Sequence, residues 1–158
     1  MRINYSLVTR NPNLMNEDIN VRYEKRVPTV SEFRELRKDA GWPMPPASDM
    51  SEALDGTVFG VCARTGKGET VGMGRVVGDG KIQLFITDVV VRTEWQNNGV
   101  GAGIMEHLLE QIQEHASPEA IIGLFSAYGC ENFYEKFGFI PRPAHDLELG
   151  PGMILQKD

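Results

Sequence analysis

Cysteine is nearly missing from this sequence of 158 residues: Cys62 and Cys130 stand far apart, outside any CxxC or Cys/His spacing. That excludes a disulfide framework, argues against structural zinc and points to a reducing compartment. Long apolar runs are missing too. Nothing approaches the roughly eighteen residues of a spanning helix, and the start, MRINYSLVTRNPN, has no signal-peptide core. The expectation is a cytoplasmic protein with no membrane partner. Positive charge is scarce, with 16 Lys and Arg against 22 Asp and Glu and a net charge of -6. The basic runs are short, so there is no electrostatic footprint for a nucleic-acid backbone. A chain of this length is expected to form one domain over residues 1–158, burying about two thirds of its unfolded surface and needing no metal.

What is present has a clear order. Residues 1–18 show little periodicity and many asparagines, which fits either a loosely attached arm or an extra edge strand. INVRYEK predicts a strand. In PTVSEFRELRKDAGW, Thr29 as N-cap with Glu32 three residues on predicts a helix that stops near Gly41. GWPMPP must be a loop, since its prolines forbid a continuing helix, and SDMSEAL predicts a second helix. From residue 57 the period changes: TVFGVCAR, ETVGMGRVV and IQLFITDVVV are β-branched-rich and separated by TGKG and GDG, the signals of hairpin turns. Val100, Ile104, Leu108 and Ile112, with Met105 and Leu109, then lay an apolar face along a helix ending near Ser117. IIGLFSA reads as a buried strand, ENFYEKF as a short helix and GMILQK as a last strand. The fold class is mixed α/β, one sheet around an antiparallel meander.

Between the third meander strand and the long helix lies WQNNGVGAG, residues 95–103. A helix N-terminus leaves about four N–H groups unpaired and carries partial positive charge, which suits an anion. Gly99, Gly101 and Gly103 would let a phosphate approach those amides, while Asn97 and Asn98 tolerate turn geometry and add neutral donors. The alternative is that the glycines only let the helix pack closely on the sheet. Two phosphate motifs are excluded. GVCARTGKG has the wrong spacing for a mononucleotide loop and ends in a hairpin turn. GMGRVVG and GVGAG lack the third glycine of a dinucleotide fingerprint, and their strands form hairpins.

QNNGVG matches Q/R-x-x-G-x-G/A, and ENFYEKFGFIPRP resembles an FYxxxGF block at the expected distance behind it. On these residues, with TDVVV before the glycines, the chain resembles the GNAT superfamily of N-acetyltransferases over residues 57–142. The resemblance implies a mostly antiparallel mixed sheet with helices on both faces, and acetyl-CoA as co-substrate without a metal. It implies that backbone groups of Val89 and Val91, with Val90 between them, pair with the pantetheine arm. Gln96, Asn97, Asn98, Gly99, Val100, Gly101 and Ala102 would form the pyrophosphate cradle. Lys136 and Arg142 would meet the ribose phosphate or remain solvated charges.

Acetyl transfer to a primary amine needs a free amine, a stabilised oxyanion and a proton for the leaving thiolate. The resemblance makes the N–H of Val89 the oxyanion donor and Tyr134 the general acid; the other reading of Tyr134 is a core aromatic with a hydrogen-bonded hydroxyl. Asp88, the only acid on the strand leading to the cradle, is either the general base or a structural acceptor, since a mid-strand acid needs a partner if buried. Strict alternation puts Thr87, Val89 and Val91 on one face and Asp88 and Val90 on the other, unless the strand bulges. The histidines that the arylalkylamine branch uses on this strand are absent. His107 and His115 are expected at the solvent face of the long helix and His145 in a proline-rich loop. Trp42 and Thr87, with Pro43, Met44, Phe85, Phe125 and Tyr128, are candidate walls for a small-molecule or peptide amine, although Trp42 equally suits a cap on the core. A homodimer is compatible with these features. The competing function is an acetyl-CoA-binding sensor or subunit without catalysis.

Overall fold

The β-branched-rich segments after residue 57 pair as an antiparallel meander, as predicted. In the computed structural model, which describes residues 20–144 and 150–153, the chain divides into two units, Met1–Leu124 and Phe125–Asp158. The first holds a five-stranded sheet in sequence order: β1 (Val21–Glu24), β2 (Phe59–Thr65), β3 (Thr70–Gly78), β4 (Gln83–Val91) and β5 (Ile121–Leu124). The first four run antiparallel to their neighbours and β5 lies parallel to β4. The proposed arm at residues 1–18 lies outside the described residues, as does most of the last predicted strand.

Three helices complete this unit: α1 (Val30–Asp39), α2 (Ala47–Asp55) and α3 (Val100–His115). α1 starts where its capping box places it, because the Thr29 hydroxyl accepts from the Glu32 N–H at 3.2 Å while the Glu32 carboxylate accepts from the Thr29 N–H at 2.8 Å. Phe33 and Leu36 of α1, Met50 and Leu54 of α2, and Met73 and Val90 of the sheet form one buried cluster. On the opposite face α3 buries Val100, Ile104, Met105, Leu108 and Ile112. Gly72 and Gly74 of β3 make that approach possible, because a Cβ on Gly74 would lie 2.8 Å from both Ile104 and Leu108. Met73, between these glycines, faces α1 and α2, so the sheet is covered by helices on both sides. The second unit contains a short helix, α4 (Glu131–Glu135).

β4 does not keep strict alternation. Met73 pairs with Val90 and Arg75 with Thr87, so Gly74 faces two residues, Asp88 and Val89. This is a β-bulge. Cross-strand partners share a face, which places Thr87 with Val90 on the α1 side and separates it from Val89, whose methyl lies 3.5 Å from the Cβ position of Gly74 on the α3 side.

A second set of contacts ties α1 to the outer strands. Arg26 donates to both oxygens of Glu32 at 2.8 Å, and Thr70 donates its hydroxyl to the same carboxylate. The Arg26 hydrogen bond, first among these causes, holds Glu32 down at about 2 from its ordinary 4.5. A lowered carboxyl pKa gives stability that is present above 4.5 and lost as pH falls towards 2. Glu32→Gln is therefore expected to cost about 1–3 kcal/mol at pH 7. In urea denaturation followed between pH 7 and pH 2, the gap to wild type should narrow below about 4.5; a gap independent of pH would remove the charge from the explanation.

Candidate active site

The cradle predicted at WQNNGVGAG lies at the end of β4. A single 3-10 turn, Thr93–Trp95, follows the strand, Trp95 is buried beneath it, and α3 begins at Val100 with Gly99 as its N-cap. Gly99 has φ 81° and Asn97 φ 60°, so both occupy the left-handed region that glycine and asparagine tolerate best. A Cβ on Gly99 would meet no atom within 4 Å. The helix ladder opens with the Gly103 N–H donating to the Gly99 carbonyl at 3.0 Å. The N–H groups of Val100, Gly101 and Ala102 precede that bond and have no intrahelical acceptor. They form a donor cluster at the positive end of a 16-residue helix.

Two predicted donors serve the loop itself. The Asn98 side-chain amide donates to the carbonyls of Gln96 at 2.8 Å and Trp95 at 3.3 Å, so it braces the turn and does not offer its N–H groups to an anion. Gln96 donates to the Val91 carbonyl at 3.0 Å, which ties the loop back to β4 and uses one lone pair of a group expected to meet the pantetheine arm. Gly103 also has a different task from Gly99. A Cβ there would lie 2.2 Å from the ring of Tyr23, so its missing side chain admits β1 against the first turn of α3. His107, expected at the solvent face, is half-buried: it stacks on Tyr23 at 4.8 Å, with Nδ1 2.8 Å from the Gly103 carbonyl. His115 is exposed as expected, and His145 lies outside the described residues.

The edge of β4 that leads to this cradle is open. β5 pairs with it only over Gln83–Ile86, and Leu124, paired with Ile86, is the last residue of β5. From Thr87 to Val91 that edge has no strand partner among the described residues.

On the α1 face of this segment stands Asp88, with φ 51°. Its Oδ1 accepts from Arg37 Nη1 at 2.9 Å, and its Oδ2 accepts from Arg75 Nε at 2.9 Å and Nη2 at 2.7 Å. The three side chains are largely buried, at 15% exposure for Arg37, 10% for Asp88 and 8% for Arg75. Arg75 also donates to the Ala53 carbonyl at 2.8 Å and the Thr57 hydroxyl at 2.7 Å. Arg37 donates twice to the Pro43 carbonyl and lies over the rings of Phe33 and Trp42 at 5.2 and 5.4 Å. Trp42 packs against the α1–α2 core cluster, as the cap reading requires. Arg75 was not singled out from the sequence, yet the signal existed: a cation in the middle of GMGRVVG needs a partner for the same reason that Asp88 does. Arg92, at the strand exit, pairs with Glu35 at 3.2 Å and Glu69 at 2.9 Å, and Thr93 is held by Asp39.

In the second unit Tyr134 is half-buried, edge-on to Phe133 at 5.0 Å and to Phe139 at 6.3 Å. Among the described residues its hydroxyl has no hydrogen-bond partner, which sets aside the hydrogen-bonded core role within that set. Burial, and after it the Cys130 thiol, pushes its pKa up, so it stays protonated at neutral pH. Arg142 donates to the Gly150 carbonyl at 2.6 Å, and Lys136 is exposed. Phe125 and Tyr128 are exposed as well. Among the described residues no cluster of His, Cys, Asp or Glu is placed to hold a metal ion, and no helix is long and apolar enough to cross a membrane.

Residues 55–141 match the sequence pattern of the acetyltransferase (GNAT) domain. An uncharacterized N-acetyltransferase, ycf52, from Pyropia yezoensis is 25% identical over 130 residues, 80% of this chain and 73% of that protein. A ycf52-like relative from Prochlorococcus marinus is 28% identical over 115 residues, 71% of this chain; the match spans 63% of that relative's length. Among solved structures, a probable acetyltransferase from methicillin-resistant Staphylococcus aureus superimposes with a TM-score of 0.76 at 28% identity, covering 87% of this chain and 99% of that one.

Gly103→Ala tests the packing at the cradle. The new methyl should clash with Tyr23 and cost about 1–3 kcal/mol of stability in chemical denaturation. Tyr23→Val in the same chain should recover part of that loss, as double-variant analysis of neighbours reads it. Strict additivity of the two changes would show that the contact is not what fixes the helix.

Proposed function

Because the chain belongs to the GNAT acetyltransferase family, we propose that it moves an acetyl group from acetyl-CoA to a primary amine by direct attack through a tetrahedral intermediate. The observation that carries this reading is the edge of β4, open among the described residues, running towards the amides of Val100, Gly101 and Ala102, which have no intrahelical acceptor behind the left-handed Gly99. The residues present fit the group: open space at the Gly99 Cβ position and donors at a helix N-terminus suit a diphosphate. Acetyl-CoA, when bound, supplies the activated thioester. Peptide dipoles supply the attraction, which is how a chain with a net charge of -6 can hold a polyanion.

Val89 and Val91 lie on the open segment, where backbone groups would pair with an extended pantetheine arm as another strand would. The N–H of Val89 would stabilise the oxyanion. Tyr134 would protonate the departing thiolate, a role supported by its match in FYEKFGF and by its unpartnered hydroxyl among the described residues. An alkyl amine must lose a proton first, at about 4.6 kcal/mol for a pKa near 10.4 at pH 7. The alternative, an acetyl-CoA sensor or subunit, is favoured by one observation: the carboxylate on β4 is already held by two arginines. The acceptor is a small-molecule or peptide amine. Two free cysteines, Cys62 buried and Cys130 exposed, suit the reducing conditions of the cytoplasm.

Two measurements test this. Acetyl-CoA at about a hundredfold over its Kd should add roughly 2.7 kcal/mol and raise the Tm by about 5–10 °C; no shift, or an equal shift with ATP, would end the cofactor assignment. Against a panel of amines, Tyr134→Phe should retain CoA affinity while turnover falls about 10²- to 10⁴-fold. Turnover within about twofold of wild type would remove Tyr134 from the reaction, and binding without turnover of any amine by wild type would favour the sensor.

A further inference from the structure

Asp88 has a largely buried carboxylate with both oxygens engaged by arginines. Oδ1 faces Arg37 from α1, Oδ2 faces two nitrogens of Arg75 from β3, and Thr57 and the Ala53 carbonyl fix Arg75 in turn. A base must accept a proton from the attacking ammonium, and here protonation would strip both guanidiniums of their counter-charge in a largely buried place. The backbone gives the same residue another task. Asp88 adopts φ 51°, a left-handed conformation that is uncommon inside a strand and that aspartate tolerates better than most non-glycine residues. It does so at the bulge where Gly74 faces both Asp88 and Val89, neither of which has a ladder partner on β3. The side chain clamped by two arginines and the left-handed backbone belong to one residue, and the next residue is Val89.

We infer that Asp88 is a positioning residue: held between Arg37 and Arg75, it fixes the β4 bulge that releases the Val89 peptide from the β3 ladder, and it is not the general base. The inference rests on the acetyl-transfer reading above for its catalytic consequence, while the clamp itself does not. Arg37 extends the clamp to the loop after α1, since its Nε and Nη2 both donate to the Pro43 carbonyl, at 3.1 and 2.9 Å. A shift of that loop is therefore transmitted to the bulge. The free amine must then arise by another route, through solvent or through desolvation of the ammonium in the acceptor site.

The pH dependence of kcat/KM separates the two roles in wild type, Asp88→Asn and Arg37→Ala. A general base would lose its acid limb in Asp88→Asn. A positioning residue predicts that both variants lose about 10- to 100-fold in kcat, with the acid limb in place and acetyl-CoA affinity within about twofold of wild type. The double variant should then be no worse than the poorer single one. Should Arg37→Ala fail to fold, Arg37→Lys keeps the charge and loses the double contact to Pro43, with the same expectation. Hydrogen exchange reads the clamp without activity. The amide of Val90, the residue that pairs with Met73 beside the bulge, should exchange at least about tenfold faster in Asp88→Asn, with those of β2 unchanged. A moved acid limb, or unchanged exchange and kcat, overturns the inference. If wild type binds acetyl-CoA and acetylates no amine, the transfer reading fails and exchange alone decides the clamp.

Discussion

Asp88, Arg37 and Arg75 form the contact through which the sheet, α1 and the loop before α2 are joined. Two cations and one anion, largely out of water, are stable only as a set. Removing one partner of such a cluster typically costs about 3–5 kcal/mol, because the others are left buried without their counter-charge. The set holds a left-handed residue in the middle of a strand, and that residue makes β4 bulge. Beyond the pairing of Ile86 with Leu124, β4 continues towards the glycine turn with an edge that is free among the described residues.

The cradle then works through backbone geometry. Gly99 supplies the positive φ that starts α3, Asn97 takes a second left-handed position, and Gln96 and Asn98 use their amides to brace the turn from within. The donors left over are peptide N–H groups, which carry no formal charge and cannot be screened away by neighbouring carboxylates as a lysine can. Tyr23, seated in the notch left by Gly103, fixes the helix from the other side. Arg92 and Thr93, tied to Glu35, Glu69 and Asp39, fix the strand exit from α1 and from the turn before β3. A phosphate needs hydrogen bonds of about 2.7–3.2 Å, so a helix start secured from three directions suits that demand.

Much of this is legible in the sequence. Local signals did well: the capping box at Thr29 and Glu32 began α1 where expected, the turns at TGKG and GDG separated the meander strands, and the period of the apolar residues marked α3. These features depend on neighbours in sequence, which a sequence displays. Contacts between distant residues were harder. Gly103 looked like part of a phosphate loop because its partner, Tyr23, lies 80 positions away in sequence. His107 looked exposed for the same reason, and Asn98 looked like a ligand because its bonds close within the turn. Thr87 parts from Val89 because β4 carries the bulge allowed for as the exception to strict alternation, and Asp88 in ITDVVV and Arg75 in GMGRVVG are two charges in adjacent strands that have to meet.

Whether the helix start and the open strand edge hold one ligand can be read residue by residue. Titrating isotopically labelled protein with CoA and following backbone amide resonances by NMR reports each N–H separately. The account predicts the largest shifts at Val100, Gly101 and Ala102, a second group at Val89–Val91, and the same shifts on this half of the map with desulfo-CoA, which keeps the pyrophosphate and pantetheine but lacks the thiol. Shifts confined to other parts of the chain, with amides 89–91 and 100–102 unmoved at saturation, would contradict it.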